Sequence, residues 1–334
     1  MKVAVFSTQS YDRRFLDEAA ARDDPRGEFE LIYQDTTLSS RTATLARGCG
    51  AVCVFVNDKL DAPTLEALSA LGVRTVVMRC AGFNNVDVKA AKRVGISVSR
   101  VPAYSPEGVA EHAVALIMTL NRQTHRAYNR VRDGNFMLDG LLGFTLHGKT
   151  AGIVGTGKIG LATARILKGF GCDLLGCDPR APAEFAGLGE MADLPTLLAR
   201  SDIVTLHCPL TDDTRHMLGA DRLARMKPGA MLVNTSRGAL LDTSAVIDAL
   251  KARRLGSLAL DVYEQEGELF YHDRSSDIIE DDVFQRLMTF PNVLVTGHQG
   301  FFTVEAMREI AQVTFRNLGD AAAGIDCPNK VPGT

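Results

Sequence analysis

The chain has no block of basic residues. Its 334 residues carry 37 Lys and Arg against 40 Asp and Glu, a formal net charge of −3, so the electrostatic footprint of nucleic-acid or anionic-membrane binding is missing. A long apolar run is missing too: the longest, AVALIMTL at residues 113–120, is far short of the ~18 residues needed to span a bilayer. The seven cysteines, Cys49, Cys53, Cys80, Cys172, Cys177, Cys208 and Cys327, never fall in C-x-x-C spacing. An odd, scattered set fits reduced thiols in a cytosol better than a disulfide framework or a zinc site, so no metal is expected. The opening MKVAVFSTQS lacks the cationic start and cleavage site of a signal peptide and reads as a first strand, which makes the cytoplasm the expected location. Repeats at solenoid periods and low-complexity tracts are also absent. What remains is an ordinary globular composition, 46% hydrophobic and 23% charged, over a length that suits about two domains.

Short β-rich runs alternate with helical patterns along the whole chain, which argues for parallel sheets built from βαβ units. A first set, KVAVFS, FELIYQ, AVCVFVN, TVVMRC and ISVSRVP, consists of the near-continuous apolar runs that a sheet covered on both faces requires. VPAYSPEG then offers two prolines and a glycine as a boundary. EGVAEHAVALIMTLNRQTHRAYNRVR reads as one uninterrupted helix, with Pro106 suited to its first turn. A second set of six, TAGIVG, CDLLGCD, DIVTLHC, AMLVNTS, GSLALDV and NVLVTGH, has the strand count of a full dinucleotide-binding sheet. The last helix, TVEAMREIAQVTFRNLGDAAAG, has no strand after it, so it is expected to return to the N-terminal sheet. The predicted layout is two doubly wound α/β domains. A cofactor domain, 102–299, is inserted into a domain formed by 1–101 and 300–334, with hinges near Tyr104 and Gly300. The acidic stretch 273–282 reads as a solvated loop.

GIVGTGKIG places Gly155, Gly157 and Gly160 after a strand and at the start of a helix, and Asp178 ends the next strand. Glycines let the backbone approach a pyrophosphate, the helix N-terminus faces its charge, and the carboxylate accepts from ribose hydroxyls. Asp178 would repel a 2′-phosphate, which favours NAD over NADP, although Arg180 lies close by. Ligands of such folds bind at the carboxyl ends of the strands. Those ends carry His207, Cys208 and Pro209, then Thr235, Ser236 and Arg237, then Asp261, and finally His298.

Hydride addition to a 2-keto acid calls for a cation on the carboxylate, a group of near-neutral pKa to protonate the oxygen, and an acid to orient that group. Arg237, His298 and Glu266 are available at adjacent strand ends. Each has a plain alternative. An arginine after Asn-Thr-Ser could bind a helix C-terminus, and His298 could be an ordinary loop residue. Glu266 lies in a run with Glu264 and Glu268 that could be a solvated face.

The motifs GIVGTGKIG, LHCPLT, NTSRGALLD, DVYEQE and GHQGFFT, in this order and preceded by RCAGFNNVD and VPAYSPEGVAEHA, resemble the D-isomer-specific 2-hydroxyacid dehydrogenase family over essentially the whole chain. Gly267 after Glu266, and Gln299 after His298, resemble its D-lactate branch rather than its phosphoglycerate or glyoxylate branches. The resemblance implies a Rossmann NAD-binding domain inserted into a flavodoxin-like substrate domain, and reversible reduction of pyruvate to D-lactate. It also implies Arg237 as the carboxylate clamp, His298 as the proton donor and Glu266 as its partner. The N–H groups of Ala81 and Gly82, with Tyr104 and Phe301, would meet the substrate. Lys158 and Ile159 would meet the pyrophosphate, Asp178 the ribose, Cys208, Pro209 and Thr214 the adenine side, and Thr235 and Asp261 the nicotinamide, with Ser236 also on the cofactor side. Cys208 has no base beside it in the motif and is not read as a nucleophile. A homo-oligomer, dimer or tetramer, is implied, with NRQTHRAYNRVRDGNFMLDGLLGF as the subunit-contact segment; no nucleic-acid or membrane partner is expected. Two alternatives stay open: an enzyme for another 2-keto acid such as phenylpyruvate or hydroxypyruvate, and a non-enzymatic NAD-sensing protein of corepressor type.

Overall fold

The structure, a computed structural model, describes residues 1–334 apart from the Glu268 side chain, so the part of the Glu264–Glu266–Glu268 run that falls on Glu268 lies outside the described residues. The chain forms two compact units, Met1–Ser105 with Phe302–Thr334, and Pro106–Phe301.

The first unit alternates β1 (Lys2–Val5), α1 (Ser10–Asp23), β2 (Glu30–Tyr33), β3 (Ala51–Val54), α2 (Ala62–Ala70), β4 (Thr75–Met78), α3 (Val88–Val94) and β5 (Ser97–Ser99). Side-chain caps start the helices: the Asp61 carboxylate accepts from the Thr64 N–H and Asp87 from the Ala90 N–H, each satisfying a donor that the first turn leaves over. Gly95 at φ +70° closes α3 in the left-handed region. All pairings are parallel, in the order β2-β1-β3-β4-β5, which is the flavodoxin-like arrangement. Residues of β1, β3 and β4 such as Val3, Val52 and Val77 are fully buried, as strands covered on both faces must be.

The second unit contains α4 (Pro106–Arg122), α5 (Thr124–Arg132), β6 (Thr150–Val154), α6 (Lys158–Gly169), β7 (Asp173–Cys177), β8 (Glu190–Met191), α7 (Leu194–Arg200), β9 (Ile203–Leu206), α8 (Ala220–Leu223), β10 (Ala230–Asn234), α9 (Thr243–Lys251), β11 (Leu255–Leu260), α10 (Asp282–Met288) and β12 (Val293–Val295). The strands pair in parallel in the order β12-β11-β10-β9-β6-β7-β8, the doubly wound Rossmann order with one strand added at its far edge. The order reverses between β6 and β9, so the crevice at their carboxyl ends is the binding position that the fold provides. Finally α11 (Val304–Ala322) returns to the first unit and packs on α1 and β4.

Two sequence expectations are corrected. The helix after Pro106 is not continuous: Gln123 takes φ +50°, its side-chain amide donates to the Leu120 carbonyl at 2.9 Å, and that turn separates α4 from α5. The second sheet has seven strands rather than six. The extra one, β8, is only Glu190–Met191 and pairs with Leu175 and Gly176 of β7, too short to leave a periodic signal.

Candidate active site

The glycine loop follows β6 directly. Gly155 sits at φ +91°, and a Cβ there would lie 2.6 Å from the Cys208 nitrogen. At Gly160 it would lie 2.0 Å from the Gly155 carbonyl oxygen. Both glycines are therefore required for the loop to pack against β9 and against itself. Gly157 is different: nothing lies within 4 Å of where its Cβ would be, so this backbone faces open space beside the first turn of α6. Lys158 and Ile159 open that helix, and their N–H groups, with the helix dipole, give the loop its preference for an anion. Asp178 is held close by. Its carboxylate accepts from the Thr156 N–H at 2.8 Å and the Arg180 N–H at 2.8 Å. The hydroxyls of Thr156 and Thr235 are buried with no hydrogen-bond partner among the described residues. Open backbone at Gly157, a helix N-terminus, a fixed carboxylate and spare buried hydroxyls all fit a dinucleotide.

Around Pro209, Thr214 and Ser236 the polar groups serve the loops themselves. The Thr214 hydroxyl donates to the Pro209 carbonyl and accepts from the Thr211 N–H, both at 2.8 Å. The Ser236 hydroxyl donates to the Cys208 carbonyl at 2.6 Å, tying the ends of β9 and β10. Burial pushes the Cys208 thiol up to about 11, which keeps it protonated and unreactive at neutral pH. Burial pulls the His207 imidazole down to about 4, so this histidine stays neutral and is a poor source of a proton.

Arg237, Glu266 and His298 come from the ends of β10, β11 and β12. Arg237 donates through Nη1 to the Ser236 carbonyl at 2.6 Å; among the described residues no carboxylate of the chain pairs with it. The next residue, Gly238, packs its Cα against β11's exit, where a Cβ would lie 2.1 Å from the Tyr263 carbonyl carbon. That close approach sets the arginine turn against the segment carrying Glu266. Glu266 accepts from the Tyr263 N–H at 3.0 Å with one oxygen and from His298 Nδ1 at 2.9 Å with the other. Both side chains are mostly covered, 18% and 14% exposed. A proton on Nδ1 engaged by the carboxylate leaves Nε2 as the nitrogen that faces chemistry. Glu264, two residues earlier, is committed elsewhere: it pairs with His216 Nε2 and accepts from the Thr243 hydroxyl at 2.9 Å.

Asp261 carries more than a strand end suggests. Its side chain is 1% exposed and accepts from the Thr296 hydroxyl at 2.5 Å, the Gly300 N–H at 2.8 Å, the Gln299 N–H at 2.9 Å and His112 Nε2 at 3.1 Å. Burial works to raise this carboxyl, but the bonds from His112 and Thr296 overcome it and hold it below the usual carboxylate range. Asp261 thus fastens both flanks of His298, which itself sits at φ +53°. His112 was not singled out by sequence reasoning; its position on the buried side of α4 gave no chemical signal. In the first unit, the Ala81 carbonyl accepts from Arg100 Nη1 at 2.6 Å, while among the described residues nothing takes up the N–H groups of Ala81 and Gly82. Tyr104 precedes the end of that unit and Phe301, 8% exposed, closes the other.

A Rossmann cradle with a histidine–carboxylate pair and an arginine at neighbouring strand ends defines a nicotinamide-dependent oxidoreductase. Residues 114–300 match the family model described as "D-isomer specific 2-hydroxyacid dehydrogenase, NAD binding domain". The chain is 58% identical to 2-hydroxyacid dehydrogenase A of Aspergillus oryzae, over 99% of this chain and 95% of that protein. It is 54% identical to D-lactate dehydrogenase of Escherichia coli, over 99% of this chain and 100% of that one. The apo-structure of the Escherichia coli D-lactate dehydrogenase superposes with a TM-score of 0.90, 52% identity, and 99% and 100% of the two chains covered. The chain belongs to the D-isomer-specific 2-hydroxyacid dehydrogenase family.

Proposed function

We propose that this chain is an NAD-dependent D-lactate dehydrogenase that reduces pyruvate reversibly, with Arg237, Glu266 and His298 as its reacting groups. One observation carries the site assignment: the 2.9 Å contact between His298 Nδ1 and Glu266, with Arg237 at a neighbouring strand end and, among the described residues, paired with no carboxylate. Bound NADH supplies the hydride for C2 of the keto acid. The planar guanidinium of Arg237 is suited to hold the substrate carboxylate by two parallel hydrogen bonds. Glu266 engages Nδ1 and fixes the orientation of the ring, so Nε2 is the nitrogen placed to give the carbonyl oxygen its proton. In lactate oxidation the same nitrogen takes that proton back. The D stereochemistry follows from the likeness to the Escherichia coli enzyme.

The remaining assignments rest on the resemblance. Ala81, Gly82, Tyr104 and Phe301 serve the substrate; Lys158, Ile159, Cys208, Pro209, Thr214, Thr235, Ser236 and Asp261 serve the cofactor side. Residues 1–101 with 300–334 form the substrate domain and 102–299 the cofactor domain. A cytoplasmic homo-oligomer is the reading for the whole protein. The oligomer is supported by the exposed Tyr128, Phe136, Met137, Leu138 and Leu142, large apolar side chains clustered in one stretch of sequence.

Steady-state NADH oxidation with pyruvate, phenylpyruvate, hydroxypyruvate and 2-ketoisocaproate, followed by chiral analysis of the product, tests the reading. Pyruvate should give the highest kcat/KM and D-lactate the only product. Greater efficiency with a bulkier acid would move the enzyme to another member of the family, and no oxidation with any of them would remove the enzymatic reading.

A further inference from the structure

Tyr271 belongs to none of the motifs, yet its backbone is unusual. It takes φ +67°, a left-handed conformation that is uncommon for a bulky residue and calls for local compensation. The neighbouring residues show how it is held. Phe270, immediately before it, is buried against Phe284 with ring centroids 6.3 Å apart, and the N–H of Phe270 donates to the Glu266 carbonyl at 2.8 Å. The left-handed turn after Phe270 brings the Tyr271 ring beside the His298 imidazole, with centroids 6.0 Å apart and planes inclined by 37°. The Tyr271 hydroxyl donates to the His298 carbonyl at 3.3 Å.

Glu266 and Tyr271 are therefore the two ends of one short, core-anchored segment that grips a single residue twice. One end holds the imidazole at Nδ1; the other holds the main-chain carbonyl and flanks the ring. His298 is left-handed as well, so its backbone needs outside contacts to keep that conformation.

We propose that Tyr271 is a positioning residue for His298: its hydroxyl and ring fix the backbone and ring plane from which Nε2 meets the reacting oxygen. The inference rests on the reading of His298 as proton donor. It adds a residue from the β11–α10 loop to the machinery, one that touches neither hydride nor proton but sets the angle at which the proton is delivered. Because misalignment of a donor slows the chemical step while leaving ligand contacts in place, its signature is a loss confined to kcat.

Three variants of the full-length enzyme, Tyr271→Phe, Tyr271→Leu and His298→Asn, decide the matter. Removing one hydrogen bond to the carbonyl corresponds to about a fivefold loss of kcat, so Tyr271→Phe should turn over about fivefold more slowly. Its KM for pyruvate and Kd for NADH should stay within about twofold, and the deuterium isotope effect with 4-deuterated NADH should rise. Tyr271→Leu, which also loses the ring, should lose more. In the protein without cofactor, the downfield proton resonance of His298 Nδ1, assigned by its loss in His298→Asn, should exchange faster with solvent in Tyr271→Phe. If Tyr271→Phe matches the wild type in kcat, isotope effect and Nδ1 exchange, the inference is wrong. It is equally wrong if Tyr271→Phe loses thermal stability and NADH affinity in step with activity, since Tyr271 is then scaffold alone. If Tyr271→Leu does not fold, Tyr271→Phe still decides. Failure of the underlying reading looks different: His298→Asn would itself keep its turnover.

Discussion

Replacing Asp261 by Asn changes the charge of one buried group while keeping its shape, and the geometry fixes the cost. An amide oxygen in place of Oδ1 can still accept from His112, Thr296 and Gln299, but the amide NH2 then points at the buried Gly300 N–H, which Oδ2 accepts at 2.8 Å. A flipped amide would misplace three donors instead of one. Relief by movement is limited, because a Cβ on Gly300 would already lie 3.0 Å from Oδ2. Orphaning one buried N–H costs ~1–3 kcal/mol, and turning three charge-assisted bonds into neutral ones adds a comparable amount. The expected destabilisation is about 3–5 kcal/mol, or roughly a 10 °C fall in the Tm of the second unit. Its pH dependence has a definite sign. The fold holds the Asp261 carboxyl below its ordinary range, so the stabilisation is complete above the unfolded-state value near pH ~4 and is lost as pH falls through the folded value. The gap between wild type and Asp261→Asn should be flat from about pH 7 to about pH 5 and should narrow only below about pH 4. The chain has no tryptophan, so urea unfolding followed by circular dichroism is the suitable assay. A gap under about 1 kcal/mol at neutral pH, or one that stays constant to about pH 3, would refute the account of Asp261 as the fastening of the His298 loop.

Other expectations can be checked with the same enzyme. Arg237→Lys keeps the charge but loses the planar fork, so kcat/KM for pyruvate should fall about 10²-fold while NADH affinity holds; a loss under threefold would count against the clamp. Gly157→Ala should fold normally, because its Cβ meets nothing within 4 Å, yet weaken NADH binding by about tenfold or more by standing where the pyrophosphate must approach. Gly160→Ala should instead destabilise the unit, its Cβ being 2.0 Å from a carbonyl oxygen; calorimetry with and without NADH separates the two. For Thr235→Val, removal of a hydroxyl that has no hydrogen-bond partner among the described residues should leave the cofactor-free protein as stable as before or more so. NADH affinity should nevertheless drop, and a drop in stability without NADH would mean the hydroxyl has a structural role.

Much of this protein was legible from residue order alone. Apolar runs such as AVCVFVN and AMLVNTS became strands because a sheet covered on both faces leaves them no alternative. The spacing of Gly155, Gly157 and Gly160 before a helix specified a phosphate cradle: Gly160 clears the Gly155 carbonyl, Gly155 clears the end of β9, and Gly157 leaves its backbone open to a ligand. The family resemblance reached Arg237, Glu266 and His298 by motif. What the sequence could not decide depended on contacts between distant segments. β8 is two residues long and exists only because β7 offers it an edge. Gln123 breaks a pattern that is helical on both sides. Glu264 and Glu266 look alike by residue type, and the resemblance alone singled out Glu266; the fold pairs Glu264 with His216 and Glu266 with His298 at the end of β12. Asp261 reads as one more strand-end carboxylate until the loop after β12 and a histidine from α4 converge on it. Tyr271 reads as loop until its left-handed backbone carries it to His298. Local periodicity and steric requirements are encoded over a handful of neighbouring residues, whereas the ionisation and orientation of a buried group are set by whatever the folded chain brings beside it.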